Sequence, residues 1–459
     1  MNLTKQRNID IILSLALIGL ACGVHLFFSG IIASLYILLV CVALFKTKNI
    51  FPYLALTIFI AGCPASFMFV KDFEIIPNVP FIMAFSLTLT LKYWSFRKMI
   101  INIYRYKKAL ELFVGFALLL IVIGLVLGIK IESGTGFGFM NYILIGRFLF
   151  LLPLIVLVPF LINDIKQLLR LLPLIETIIL INFTFQLFYL TNGFHINEIF
   201  NNEVEILTES QDFMARAKTG WIYSFIYTPM LLVLKLFKRI SVLRFFIGIC
   251  LSIIGISFTG SRGYLLAILV LSFFSLFYLM KKKNIFKIII ISFIAIFFFP
   301  FIKDNDIIAG RIDLYDERFL SKNSTLSSDQ LRENYGDIVL ENFKESPLIG
   351  FGFSADGIEY YDQHSGNQSI LLSGGLVGLF VYGILLCYIL LIMFNSSKGF
   401  KKLFLLKCLI LLSFFIIHST STDLFSPYFS LETYHYNKFI LIAFIFTYLS
   451  LDRKGAITY

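Results

Sequence analysis

Apolar residues in this chain come in long blocks separated by short polar links. Uninterrupted apolar stretches run over about 9–28, 30–45, 51–70, 79–94, 110–129, 142–162, 168–190, 222–237, 243–258, 264–280, 285–302, 367–394, 403–419 and 437–451. Many approach the roughly 20 residues that a helix needs to cross a bilayer's hydrocarbon core. The pattern predicts an all-α polytopic membrane protein with about 14 transmembrane helices. Lys5 and Arg7 precede the first block. Its length predicts a span that stays in the membrane rather than a cleaved signal peptide.

The charged residues between the blocks orient them. With the N-terminus inside, the cytoplasmic links hold Lys46 and Lys48, then Arg97, Lys98, Arg105, Lys107 and Lys108. Later ones hold Lys235, Lys238, Arg239 and Arg244, then Lys281 to Lys283, then Lys398, Lys401 and Lys402. Basic residues thus gather on one side and most acids on the other, as membrane insertion requires. An even number of spans places the C-terminus in the cytoplasm as well. Insertion therefore accounts for the net charge of +11 without a nucleic-acid partner. Composition agrees with this placement: 58% of the 459 residues are hydrophobic and 15% charged. That is too little charge to cover a water-soluble surface of this size. The six cysteines lie within apolar spans with no Cys-x-x-Cys pair, so neither a disulfide framework nor a zinc site is expected.

The links divide the chain into five parts: helices over 1–190, an outer loop over 191–221, helices over 222–302, a large outer loop over 303–366, and helices over 367–459. A loop of some sixty residues is too long for a simple connection. Within it Leu331, Tyr335, Ile338, Val339 and Phe343 share one face at helical spacing, after a possible capping box of Ser327 and Gln330. This predicts an amphipathic helix on the outer surface or over a cavity mouth. A helix that only packs the loop down fits the same pattern. Pro347, Gly350 and Gly352 then break the chain.

Several polar residues stand where hydrophobicity disfavours them. Arg147, in Asn141-Tyr-Ile-Leu-Ile-Gly-Arg147, lies about two turns inside a span, where arginine costs roughly 2.5–3.5 kcal/mol at mid-membrane and less nearer the surface. It fits a functional anion site or snorkelling to the headgroups. Arg262, in Thr259-Gly260-Ser261-Arg262-Gly263, lies in a short link at outer headgroup level. Guanidinium suits a phosphate oxygen pair, although a helix-end arginine also anchors to lipid phosphates. Arg216 and Lys218, in Met214-Ala-Arg216-Ala-Lys218-Thr-Gly220, follow an acidic run and fit either an anion site or a solvated salt-bridge cluster.

His364, in Tyr360-Tyr-Asp-Gln-His364, ends the large loop just before an apolar span and is a candidate general base. His418, Asp423, Glu432 and His435 surround the last outer loop and could line the same cavity. Asp304-Asn305-Asp306 reads as a solvated acidic pair. Glu176, inside an apolar span, has no account from sequence. No metal-site spacing occurs.

Thr259-Gly-Ser-Arg262-Gly263, opening an apolar helix, resembles the Ser-Arg-Gly signature of the O-antigen polymerase and O-antigen ligase superfamily. Leu331-Arg-Glu-Asn-Tyr335 with Asn342-Phe-Lys-Glu-Ser-Pro347-Leu-Ile-Gly350-Phe-Gly352 is similar to that family's amphipathic stretch ending in Pro-x-x-Gly-x-Gly. His364, followed by Leu371-Leu-Ser-Gly-Gly375-Leu-Val-Gly378-Leu, is similar to its histidine, leucine and Gly-x-x-Gly pattern. The similarity spans roughly residues 205 to 385. Ser365 follows His364 where family members often have asparagine.

The resemblance implies a metal-independent, inverting glycosyltransferase of a bacterial inner membrane, with no cofactor. It would use undecaprenyl-diphosphate-linked oligosaccharide at the periplasmic face. Arg262 and Arg216, with Arg147 and Lys218, would bind the diphosphate, and His364 would orient or deprotonate the acceptor hydroxyl. A polymerase of O-antigen or capsule repeat units is the first expectation, and a ligase onto lipid A-core the second. A chain-length regulator protein is a partner expected from the superfamily. A lipid-linked oligosaccharide flippase ranks below both, because the ionisable residues collect at one face beside long loops.

Overall fold

The computed structural model describes residues 3–27, 30–62, 78–93, 115, 118–119, 122, 151–192, 220–257, 262–279, 339–352, 366–420, 424 and 437–451. Among them the principal elements are all helices, numbered here in chain order. The first half holds α1 (Leu3–Phe27), α2 (Gly30–Lys46), α3 (Phe51–Gly62), α4 (Asn78–Tyr93), α5 (Leu151–Leu161) and α6 (Ile165–Asn192). The second holds α7 (Trp221–Leu236), α8 (Val242–Ser257), α9 (Arg262–Leu279), α10 (Gly366–Ser396), α11 (Lys401–Thr420) and α12 (Asn437–Ser450). Four of these, α1, α6, α10 and α11, contain stretches long and apolar enough to cross a membrane.

The packing is that of a bundle in a lipid solvent. Helix α7 is buried along its whole face from Trp221 to Leu234 and touches α3, α6, α8, α9, α11 and α12. A helix apolar all round belongs in such a centre. At the periphery large apolar side chains point outward: Ile12 is 67% exposed, Ile31 74% and Phe380 68%. Facing water, that many would form a sticky patch, whereas facing hydrocarbon they cost nothing.

Charged side chains tie the helices together at the end that holds the start of α1. Fully buried Asp10 of α1 accepts two bonds from Arg170 of α6, one from Nε and one from Nη2 at 2.9 Å. Asn49, just ahead of α3, donates to Asp10 at 2.6 Å and accepts from Arg170 Nη2 at 2.5 Å. The guanidinium also lies 4.4 Å from the Phe51 ring centroid. Glu176 gains its explanation here. Its carboxylate accepts from Arg244 Nε at 2.9 Å and Nη2 at 2.5 Å, and from the Tyr227 hydroxyl at 3.0 Å, joining α6, α8 and α7. Buried Lys407 donates to Ser396 Oγ at 2.6 Å and to the Leu451 carbonyl at 2.7 Å, tying α11 to the ends of α10 and α12.

Two helix limits differ from the sequence reading in useful ways. Arg262, expected in a link, is the first residue of α9. The apolar stretch 367–394, read as one span, is α10 with a break at Gly375, where φ is 58° and ψ −155°. Of the amphipathic helix expected over 331–343, residues 339–343 are described and helical, with Val339 buried.

Replacing Asp10 by alanine leaves the Arg170 guanidinium without its carboxylate and is expected to lower stability by about 3–5 kcal/mol. The unfolding midpoint of purified protein in detergent measures this. The double variant Asp10→Leu/Arg170→Met, which removes both charges, should recover most of the loss.

Candidate functional site

The opposite end of the bundle carries the N-termini of α7, α9 and α10 beside the C-terminus of α11. Gly220 precedes α7 in the left-handed conformation, φ 79°, and its N–H donates to the Gly62 carbonyl at 2.9 Å. A β-carbon there would press into the Asn182 side chain, 2.7 Å from its Oδ1, so only glycine fits so close to α6. Trp221, the first residue of α7, stacks on Tyr264 of α9 with centroids 4.6 Å apart and planes 16° apart. Phe225, one turn along α7, meets Tyr264 edge-on at 5.9 Å and Phe414 of α11 at 6.1 Å.

One turn beyond Phe414, His418 is fully buried, its ring 5.6 Å from that of Tyr382 and 6.2 Å from that of Phe415. It lies directly against Gly366, the first residue of α10. Beside it Asn367 donates to Ser419 Oγ at 3.2 Å. This run of rings and short contacts joins the three helix starts.

A backbone strap holds the break in α10. A helix end leaves carbonyls and N–H groups without intrahelical partners, and inside a membrane water cannot supply them. Here residues 347–352 supply both. The N–H groups of Phe351 and Gly352 donate to the carbonyls of Leu372 and Ser373 at 2.9 and 2.8 Å, closing the end of the first half-helix. The N–H groups of Leu376 and Val377 donate to the carbonyls of Pro347 and Leu348 at 2.9 and 3.0 Å, closing the start of the second.

So close an approach requires glycine on both sides. A β-carbon on Gly350 would lie 2.5 Å from the Leu372 carbonyl oxygen, and one on Gly375 2.5 Å from the Leu348 carbonyl carbon. Phe351 seals the strap by packing with Val339 and Leu372. The Pro-x-x-Gly-x-Gly and Gly-Gly elements, some twenty residues apart in sequence, thus form one joint.

Of the residues predicted to act, Arg262 is placed through its backbone at the start of α9, and its side chain lies outside the described residues. Arg147, Arg216, Lys218 and His364 also lie outside them, as do Asp304, Asp306, Asp423, Glu432 and His435. Their sequence neighbours are fixed, however. Lys218 is two residues from Gly220, and His364 two from Gly366. Sequence reasoning gave His418 only a minor place, and its tight contact with α10 could not be read from spacing.

Residues 247–383 match the family model described as O-Antigen ligase. The matched segment contains Arg262, the strap, His364 and the break in α10. It bears out the resemblance to the O-antigen polymerase and ligase superfamily, and with it a membrane-embedded enzyme of the glycosyltransferase kind that handles lipid-linked glycan. No curated protein matches the chain.

Alanine at Gly375 would force a side chain into a backbone region reserved for glycine, at a cost of about 1–3 kcal/mol before the clash with Leu348 is added. Gly375→Ala and Gly350→Ala are each expected to lower the unfolding midpoint and to expose the strap to protease. Gly383→Ala, where a β-carbon meets nothing within 4 Å, should change neither readout.

Proposed function

We propose that the chain is a polymerase joining oligosaccharide repeat units carried on undecaprenyl diphosphate, working at the periplasmic face of a bacterial inner membrane. The observation that carries this reading is the convergence of the starts of α7, α9 and α10. Each has a candidate polar group at it or just ahead of it in sequence: Arg216 and Lys218 before α7, Arg262 at α9, His364 before α10. Helix N-termini present the positive ends of their dipoles, and guanidinium groups beside them suit a diphosphate. The opposite end holds the ion pairs of Arg170 and Arg244, in keeping with a cytoplasmic side. We place 14 spans on this axis, with both termini in the cytoplasm and 303–366 outside.

In the reaction an acceptor hydroxyl attacks the anomeric carbon of the donor sugar from the face opposite the diphosphate. A carbon–oxygen bond to the acceptor forms as the bond to the phosphate oxygen breaks, so the configuration inverts. His364 takes the hydroxyl proton. Arg262 and Arg216, with Lys218 and Arg147, stabilise the charge that passes to the departing lipid diphosphate, without a metal ion.

A ligase that transfers the glycan to lipid A-core is the second reading, favoured by the description of the matched family. Both use the same donor site. The strap weighs against a transporter. Broken helices in transporters leave their ends open to substrate and ions, whereas both ends of the α10 break are closed by the protein's own backbone.

Purified protein in liposomes, given a short lipid-linked repeat, is expected to form a ladder of products. Arg262→Ala and His364→Ala should reduce the rate by about 10²-fold or more. A single transfer product formed only when lipid A-core is added would make the enzyme a ligase. Lipid crossing the bilayer with no glycosidic product would overturn the enzyme reading.

A further inference from the structure

Two links at the end of the bundle that holds the start of α1 carry the same short pattern. Lys235-Leu-Phe237-Lys238-Arg239 leads from α7 towards α8, and Lys398-Gly-Phe400-Lys401-Lys402 leads from α10 into α11. Far apart in sequence, they meet through their phenylalanines, whose ring centroids lie 6.0 Å apart with planes at 62°. Lys238, Arg239, Lys398, Lys401 and Lys402 are all exposed around this pair. Neither pattern contains an acid, and the neighbouring Glu176 is already engaged by Arg244. Next to the links, Leu243 of α8, Phe394 of α10 and Leu405 of α11 are exposed as well.

Membrane insertion asks only that such links be basic, and lysines at any spacing would satisfy it. Helix energetics does not account for these positions either. Lys238 follows α7 in the left-handed conformation, φ 56°, the only residue other than glycine to do so among the described residues. Gly399 turns the other link at φ 73°, where the missing β-carbon makes this conformation free of strain. Lysine at 238 keeps a charge at the cost of that strain. Lys401 and Lys402 stand in the first turn of α11, where the helix dipole opposes positive charge.

We propose that the paired links form a binding site for a phospholipid with two phosphates, of the cardiolipin type. Each link would hold one phosphate through its lysines, and the acyl chains would lie along the exposed apolar side chains beside them. The bound lipid would tie the pair α7–α8 to the pair α10–α11. This is a binding property, and it stands or falls apart from the glycosyltransferase reading.

Native mass spectrometry of the purified protein in detergent measures the affinity for added cardiolipin, phosphatidylglycerol and phosphatidylcholine. One cardiolipin per chain should bind at least about tenfold more tightly than phosphatidylglycerol at equal phosphate, because its two phosphates are linked. Lys238→Gln and Lys401→Gln should each weaken cardiolipin binding about fivefold, the factor expected for one basic residue near a headgroup. Lys46→Gln/Lys48→Gln removes two exposed lysines at and after the end of α2, at the same end of the bundle. It should change the affinity by less than about twofold.

Lys238→Gly removes the charge and the strain together. It should raise the unfolding midpoint of lipid-free protein and still lose cardiolipin affinity as Lys238→Gln does, which separates lost binding from lost folding. Wild-type affinity in Lys238→Gly would overturn the proposal. So would an equal loss in the Lys46/Lys48 variant, which would reduce the binding to total charge. A loss confined to one of the two links, or equal affinity for the two anionic lipids, would overturn it too.

Discussion

The hydrocarbon core of a bilayer offers no hydrogen bond to a broken helix, so any break within it must be closed by the protein. At the Gly375 break the protein's own backbone supplies such partners. Residues 347–352 form a turn, with Gly350 and Gly352 left-handed, and give the two half-helices donors and acceptors they lack, through four bonds of 2.8–3.0 Å. The geometry works because Gly350 and Gly375 have no side chains to hold the backbones apart. It also ties the end of the large loop to a fixed point on α10, nine residues from the start of that helix. A loop of some sixty residues would otherwise sample many placements, each doubling of free length adding about 0.6 kcal/mol to the cost of closing it.

The two ends of the bundle use polar groups differently. At the end holding the start of α1, charges are matched within the protein: Asp10 with Arg170, Glu176 with Arg244, Lys407 with a helix-terminal carbonyl. Removing one partner there leaves an uncompensated charge, which is a structural penalty. At the other end the described contacts between helices include aromatic rings and close-packed glycines, from Trp221 on Tyr264 to Gly366 on His418. Packing of this kind holds helix starts in register. The anion site proposed above would need such a rigid frame.

Much of this was legible in the sequence because hydrophobic block length and charge side are dictated by the bilayer. The apolar stretches 30–45, 243–258, 403–419 and 437–451 lie within a residue or two of the observed α2, α8, α11 and α12. The Ser-Arg-Gly, Pro-x-x-Gly-x-Gly and Gly-Gly elements were legible as motifs, and the family match covers all three. The union of the last two in one joint was not legible, because local periodicity carries no record of which backbones pair. The break at Gly375 was hidden for a related reason: Leu371 to Leu379 is apolar enough to read as continuous helix. Glu176 was opaque because its partners, Tyr227 and Arg244, lie 51 and 68 residues away.

The frame also bears on how a lipid diphosphate could be activated without a nucleotide. Departure of lipid diphosphate transfers negative charge to oxygens that a low-dielectric membrane would leave unscreened, so the catalytic task is electrostatic before it is nucleophilic. On the proposed reading, three helix starts meeting at one place would supply fixed positive potential that needs no rearrangement during the reaction. Cationic side chains at those starts would add to it. The acceptor needs less, a single base placed on the far side of the sugar. Among the described residues the pair α7–α9 is joined by Trp221 and Tyr264 and the pair α10–α11 by Gly366 and His418, so on the proposed reading each task would have its own contact. Phe225 and Phe414 then set the distance between them.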